Sequence, residues 1–190
     1  MPDEPLQWES LRLFTDRLSL RPATVQDAEA LYGLFADPQV MEGLGITPVS
    51  ALDEAVAMID QGIESWRTDA LGPFVFENPA RQLVGQAGLM VFDSRGWTPS
   101  NRANAGRHAQ PELGWALVRA HWGQGYATEA AAAIRAWAYE SHTIDGLVSL
   151  ITPGNVRSQR VAQRLGATPG ETVTPADSGR TAVVWHHPAA

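Results

Sequence analysis

The sequence predicts one α/β domain on a mixed sheet, with antiparallel strands first and a βαβ unit in the middle. Three observations carry that expectation. Apolar spacing is helical over residues 25–67 and becomes strand-like after Gly72-Pro73. The element order then reads β, α, α, three strands, α, β, α, β, β, which mixes hairpin and crossover connections. The stretch Trp122 to Ala130, W-G-Q-G-Y-A-T-E-A, sets two glycines at the mouth of an alanine-rich helix between two strands. Glycine is a poor helix former, so this turn either needs special backbone angles or admits a close ligand.

Taken in order, residues 1–10 read as a loose arm and 11–190 as one domain. Arg17 to Arg21 alternates as a strand and is closed by Pro22. Thr24 suits the cap of a helix from Val25 to about Asp37, with Ala28, Leu31, Leu34 and Phe35 on one face and Pro38 ending it. Ser50 suits the cap of a second helix to about Arg67, with Ala55, Met58, Ile59, Ile63 and Trp66 as its buried stripe. Phe74–Glu77 and Gln82–Phe92 read as strands joined at Asn78-Pro79. Residues 93–110 are polar and turn-rich, and such a long loop is mobile, functional or both. Glu112–Val118 is a strand, Ala127 to about Tyr139 a helix, and Leu147–Thr152 a strand. Asn155 to about Leu165 is a short helix stopped by Gly166, with Val161 and Leu165 turned inward. A last hairpin, near 169–174 and 180–187, turns at Asp177-Ser178-Gly179.

Composition excludes several function classes. The 190 residues are 44% hydrophobic, enough for a real core, and the net charge of −7 argues against general nucleic-acid binding. The absence of cysteine removes disulfides, thiolate metal sites and a thiol nucleophile, and fits a cytoplasmic protein. No apolar run reaches the ~20 residues of a membrane span. The acidic, proline-containing start does not read as a signal peptide. His186-His187 lacks partners at metal spacing, so no metal site is expected.

A helix N-terminus exposes unpaired N–H groups and partial positive charge, which suits phosphate. A Walker-type G-x-x-x-x-G-K-[ST] is absent, and the dinucleotide pattern G-x-G-x-x-G fails at Thr128. The third phosphate motif is the pyrophosphate loop of acetyl-CoA-dependent N-acetyltransferases. Four pieces occur in that order: T-D-R-L-S-L-R-P followed by A-T-V-Q-D-A-E-A-L; L-V-G-Q-A-G-L; E-L-G-W-A-L-V-R-A-H-W-G-Q-G-Y-A-T-E-A; and N-V-R-S-Q-R-V-A-Q-R-L-G-A. With them the chain resembles the GCN5-related N-acetyltransferase (GNAT) superfamily, and within it the branch of ribosomal-protein-alanine N-acetyltransferases. The likeness spans roughly residues 14–187 and is strongest over 112–167.

The resemblance implies a single-domain fold with a central mixed, mostly antiparallel sheet flanked by helices. It implies direct acetyl transfer from acetyl-CoA to a primary amine on a protein N-terminus or a small molecule, without a metal, and a possible homodimer. It also implies that Gly123, Gln124, Gly125, Tyr126 and Ala127 offer backbone N–H groups to the CoA pyrophosphate. A main-chain N–H near Leu117 or Val118 would polarise the thioester, an oxyanion-hole role. Asn155 would cap its helix and meet the pantetheine arm, with Ser158 one turn along at the CoA sulfur; Arg157, Arg160 and Arg164 share one helix face, which is either a solvated basic face or, through Arg160, a partner for the 3′-phosphate.

Two places depart from the family. Ala120 stands where Gln or Arg often opens the loop, with Arg119 beside it. Ala162 stands where many members carry a tyrosine acid, which makes Ser158 the candidate proton donor. Glu112 is the leading base, because Glu112, Gly114 and Ala116 share one face of their strand and leave room beside a carboxylate. Asp177 and Glu171 are the alternatives. His121 and Trp122 flank the loop as packing residues, and acceptor lining is expected from residues 37–50 and 93–110. Two competing readings are an acyl-CoA-binding sensor on the same fold and a nucleotide-binding module using G-x-G for another phosphate.

Overall fold

A computed structural model describes residues 8–141, 144–176 and 179–189. Its centre is a nine-stranded sheet. In chain order the strands are β1 (Leu13–Phe14), β2 (Ser19–Pro22), β3 (Pro73–Glu77), β4 (Leu83–Asp93), β5 (Thr98–Ser100), β6 (Ala109–Leu117), β7 (Leu147–Ile151), β8 (Thr168–Val173) and β9 (Ala182–His187). They lie in the order β1-β2-β3-β4-β6-β7-β9-β8, with β5 on the end of β4. Every pairing is antiparallel except β6 with β7, the two strands joined by the crossover helix. This is the mixed, mostly antiparallel sheet that the sequence predicts.

The helices α1 (Ala28–Phe35), α2 (Pro38–Leu44), α3 (Leu52–Asp69), α4 (Arg102–Ala105), α5 (Tyr126–Ser141) and α6 (Val156–Arg164) flank it. On α5 the buried stripe is Ala130, Ala131, Ile134, Trp137 and Ala138. It packs on Leu113, Trp115 and Leu117 of β6 in the larger core. Ala116 and Val75 belong to a second core formed with α1, α2 and α3. Burying a side chain of this size contributes about 1.5–3 kcal/mol, and adjacent β6 residues are divided between the two cores. Among the described residues no helix is long and apolar enough to cross a membrane.

Four local expectations change. The helix before Pro38 does stop, at Phe35, but Pro38 is not followed by a loop. It is the first residue of α2, whose cap Asp37 accepts the Gln39 N–H at 3.0 Å, because proline lacks the N–H that a first turn leaves unpaired anyway. The cap of α3 is Ala51 rather than Ser50; Ser50 donates its N–H to Glu54 at 2.6 Å. Residues 93–110 fold into β5, α4 and a 3-10 turn, and Asp69 holds the start of α4 by accepting the Arg102 N–H at 2.9 Å. On α6 the fully buried residue is Ala162, and Val161 is only half-buried. Of the predicted hairpin turn, Asp177 and Ser178 lie outside the described residues.

Candidate active site

The two glycines have left-handed backbones, Gly123 at φ 76° and Gly125 at φ 85°. That conformation costs any other residue about 1–3 kcal/mol, so both turns require glycine. A Cβ on Gly123 would meet nothing within 4 Å, whereas one on Gly125 would lie 3.4 Å from an Arg17 nitrogen. The loop therefore has an open side at Gly123 and a buttressed side at Gly125. Its open side faces a cleft of about 930 Å³ bounded by the loop, the end of β6, α6 and α2.

The cleft exists because β6 and β7 part. Their only paired position is Glu112 with Val148, although β6 continues five residues further, to Leu117. Backbone groups alternate sides along a strand. Val118 gives its N–H to Val84 at 3.0 Å, toward β4. The Leu117 N–H therefore points to the opposite, opened side. The Leu117 carbonyl on that side accepts the Trp122 indole N–H at 2.9 Å, which fixes the base of the loop. Of the two N–H groups expected to polarise a thioester, that of Leu117 points to the opened side and that of Val118 is taken by β4.

The other predicted binding residues divide. Gly123, Gly125, Tyr126, Ala127, Asn155, Ser158 and Arg160 line the cleft. Gln124 lines a shallower depression on the loop's other side, with Arg164. Asn155 caps α6 through the Ser158 N–H at 3.1 Å. Its amide nitrogen donates at 2.7 Å to the Gly43 carbonyl, so this side chain ties α2 to α6 across the cleft rather than pointing freely at a pantetheine arm. Arg157 stacks over the Trp122 ring at 4.4 Å and lines the cleft together with Arg160 and Arg164. His121 packs edge-on against Tyr126 at 6.1 Å between ring centres. Ala162 is fully buried, so the place of the family's tyrosine is a core position here.

Glu112 does not line the cleft itself. Its carboxylate accepts the Leu150 N–H at 3.2 Å, filling the gap where the β6–β7 ladder ends. A Cβ on Gly114 would stand 3.3 Å from that carboxylate, so the missing side chain keeps its approach open from the Ala116 side of the cleft. Loss of hydration pushes the carboxyl up to about 7, only partly offset by the Leu150 bond. Such a carboxylate can take a proton near neutral pH. Its rival Glu171 does not line the cleft. It sits on the exposed edge strand β8 and pairs with His186 at 3.2 Å, away from the cleft. The other rival, Asp177, lies outside the described residues. Of the segments expected to line an acceptor pocket, 37–50 contributes Gln39, Val40, Glu42, Gly43 and Leu44 to the cleft wall, and 93–110 contributes none.

Several residues at the site have no counterpart in the sequence reading. Arg17 and Thr15 hold Glu129 at the start of α5. Arg119 reaches Asp37 at 2.5 Å and so fixes the start of α2 against the end of β6. Behind the strand split, Ser149 Oγ donates to the Leu113 carbonyl at 2.5 Å. Its one proton being used, His187 Nε2 must donate to Ser149 at 2.9 Å. Burial, then the charges of Arg135 and His186, push His187 down to about 4, so it stays neutral.

The model of the acetyltransferase (GNAT) domain family matches residues 17–168. The chain belongs to the GNAT family. It is a GNAT acetyltransferase whose sequence is 26% identical over 157 residues to the uncharacterized N-acetyltransferase p20 of Bacillus licheniformis, covering 80% of each. Its structure resembles that of the acetyltransferase from Agrobacterium tumefaciens str. C58, with a TM-score of 0.76 and 28% identity over 98% of this chain and 99% of that one. The ribosomal L7/L12 alpha-N-protein acetyltransferase RimL, solved with coenzyme A, shares the GNAT fold at a TM-score of 0.71 and 16% identity, over 92% and 95% of the two chains. In this GNAT chain the matched segment contains the loop, both splayed strands and α6.

Proposed function

We propose that this enzyme transfers the acetyl group of acetyl-CoA directly to a primary amine, on a protein N-terminus or a small molecule. The observation that carries the reading is the loop with its two left-handed glycines, opening at the N-terminus of α5 into a cleft that ends at the β6–β7 split. The residues fit the donor. Backbone N–H groups at a 16-residue helix start suit a diphosphate. Arg160 and Arg164 add cations on one wall. The unladdered side of Leu117 offers an N–H to a thioester carbonyl.

The amine nitrogen attacks the thioester carbon and a tetrahedral intermediate forms. Its oxyanion is stabilised by the Leu117 N–H. Glu112 takes the ammonium proton through water in the gap left by Gly114. The C–S bond then breaks, and Ser158 on the cleft wall relays a proton from water to the leaving thiolate, recovering its own in the same transfer, while the proton held by Glu112 returns to that water. No covalent intermediate with the enzyme is needed, since the cleft holds both reactants together. The Glu42 carboxylate on the cleft wall suits an amine that arrives as its cation and gives that first proton to solvent before it attacks. The test is acetyl-CoA with a panel of free-N-terminus peptides and small amines, followed by free thiol. Release that depends on one amine class supports the reading. Calorimetric binding of acetyl-CoA with no release on any acceptor contradicts it, and so does displacement of CoA by ADP-ribose.

A further inference from the structure

The acidic residue in the loop's own helix poses an electrostatic problem. Glu129 lies in the first turn of α5, where its carboxylate competes with any bound anion for the positive helix end. It is held out of that competition. Thr15 Oγ1 donates to Oε1 at 2.5 Å and the Arg17 N–H does so at 3.0 Å. The Arg17 guanidinium bonds Oε2 through Nε at 2.7 Å and through a terminal nitrogen at 2.5 Å. The same guanidinium donates to the Gln124 carbonyl at 2.9 Å and stacks over the Tyr126 ring at 4.6 Å. One residue from the segment before β2 thus touches three parts of the loop and helix, the Gln124 carbonyl, the Tyr126 ring and the Glu129 carboxylate.

The geometry sets the loop's polarity. In a trans peptide the carbonyl of residue 124 and the N–H of residue 125 point in opposite directions. Fixing the Gln124 carbonyl on Arg17 therefore aims the Gly125 N–H away from Arg17, toward the ligand side. The matched pair also keeps the loop from presenting a net negative charge. Because Arg17 is half-exposed, its side chain is screened in part by water and salt.

We propose that Arg17 is a positioning residue for the diphosphate loop: it neutralises Glu129 and anchors the Gln124 carbonyl, so that the loop N–H groups face an incoming diphosphate. Thr15 completes the arrangement by occupying the carboxylate's other oxygen. The inference rests on the acetyl-CoA reading, and its test separates the two. Calorimetry compares acetyl-CoA with S-acetyl-pantetheine, which has the same thioester arm and no phosphates, the weaker ligand being measured by competition. Arg17→Gln is expected to weaken acetyl-CoA about fivefold, the upper end of what a partly screened charge at a helix end contributes. S-acetyl-pantetheine is expected to bind within about twofold of wild type, which also shows that the cleft is folded. Arg17→Gln/Glu129→Gln, with the repulsive carboxylate removed, is expected to bind acetyl-CoA more tightly than Arg17→Gln alone. Unchanged acetyl-CoA affinity in Arg17→Gln overturns the proposal, as does an equal loss for both ligands or a double variant no tighter than the single one. Wild-type protein that fails to bind acetyl-CoA at all would instead overturn the proposed function.

Discussion

Glu112→Gln separates the carboxylate's charge from its hydrogen bond. Gln keeps an oxygen for the Leu150 N–H but cannot ionise. The wild-type carboxyl is raised from 4.5 to about 7 in the fold. An acid with a raised folded pKa holds its proton more tightly folded than unfolded. Its favourable contribution is full below 4.5 and is lost as pH rises to about 7. At about 1.4 kcal/mol per unit, the whole shift is worth roughly 3 kcal/mol, and the part falling between pH 5 and 8 is about 2–3 kcal/mol. Urea unfolding of both proteins at those two pH values measures it. The wild type should lose that amount relative to Glu112→Gln on going to pH 8. The acid sensitivity of His187 is present in both proteins and cancels in the comparison. The same ionisation should appear in turnover: wild-type kcat/KM rises through about pH 7, and Glu112→Gln is about 10²-fold slower or more, without that rise. Parallel stability profiles would refute the buried, raised carboxyl. A rise through 7 that survives in Glu112→Gln would remove Glu112 as the base.

Other expectations follow from single contacts. The pKa of His187 falls from 6.5 to about 4 on folding, so the native state resists its protonation and loses about 3 kcal/mol as pH drops through that window. His187→Leu should move the acid-unfolding midpoint, followed by circular dichroism, to lower pH. Asn155→Ala removes the cap of α6 and the tie to Gly43. It should cost about 1–2 kcal/mol in urea unfolding and raise the KM for acetyl-CoA. Ser158→Ala should lower kcat about tenfold while the acetyl-CoA Kd rises by no more than about twofold, because a proton donor acts chiefly in the transition state. Ala162→Tyr places a large ring in a filled core. It should destabilise by about 1–3 kcal/mol, seen as a lower Tm, with no gain in turnover.

Much of the fold was legible because its signals are local. The alanine-rich spacing of α5, the alternation in β6 and the glycine pair between them are each contained in about twenty residues, and together they place the cleft. Pro38 misled because proline both ends one helix and starts the next; only the capping bond from Asp37 decides between them. Residues 93–110 looked irregular because Asp69, more than thirty positions away, organises them. Glu171 shared the right chemistry with Glu112, but nothing local says that β8 is the sheet's exposed edge. The Ser149–His187 pair and the Arg17–Glu129 pair join residues 38 and 112 apart, a separation at which one sequence carries no pairing signal. The free side of Leu117 was open for the same reason, since it depends on which neighbour takes the Val118 N–H.

The central claim is that W-G-Q-G-Y-A-T-E-A cradles the diphosphate of the acetyl donor. Gly125→Val tests it most directly, because valine cannot adopt φ 85° without strain and its side chain would meet Arg17. Titration calorimetry with acetyl-CoA, alongside a Tm measurement, should show affinity reduced by about 10²-fold or more in a protein that still unfolds cooperatively. Wild-type affinity in the folded variant would contradict the claim.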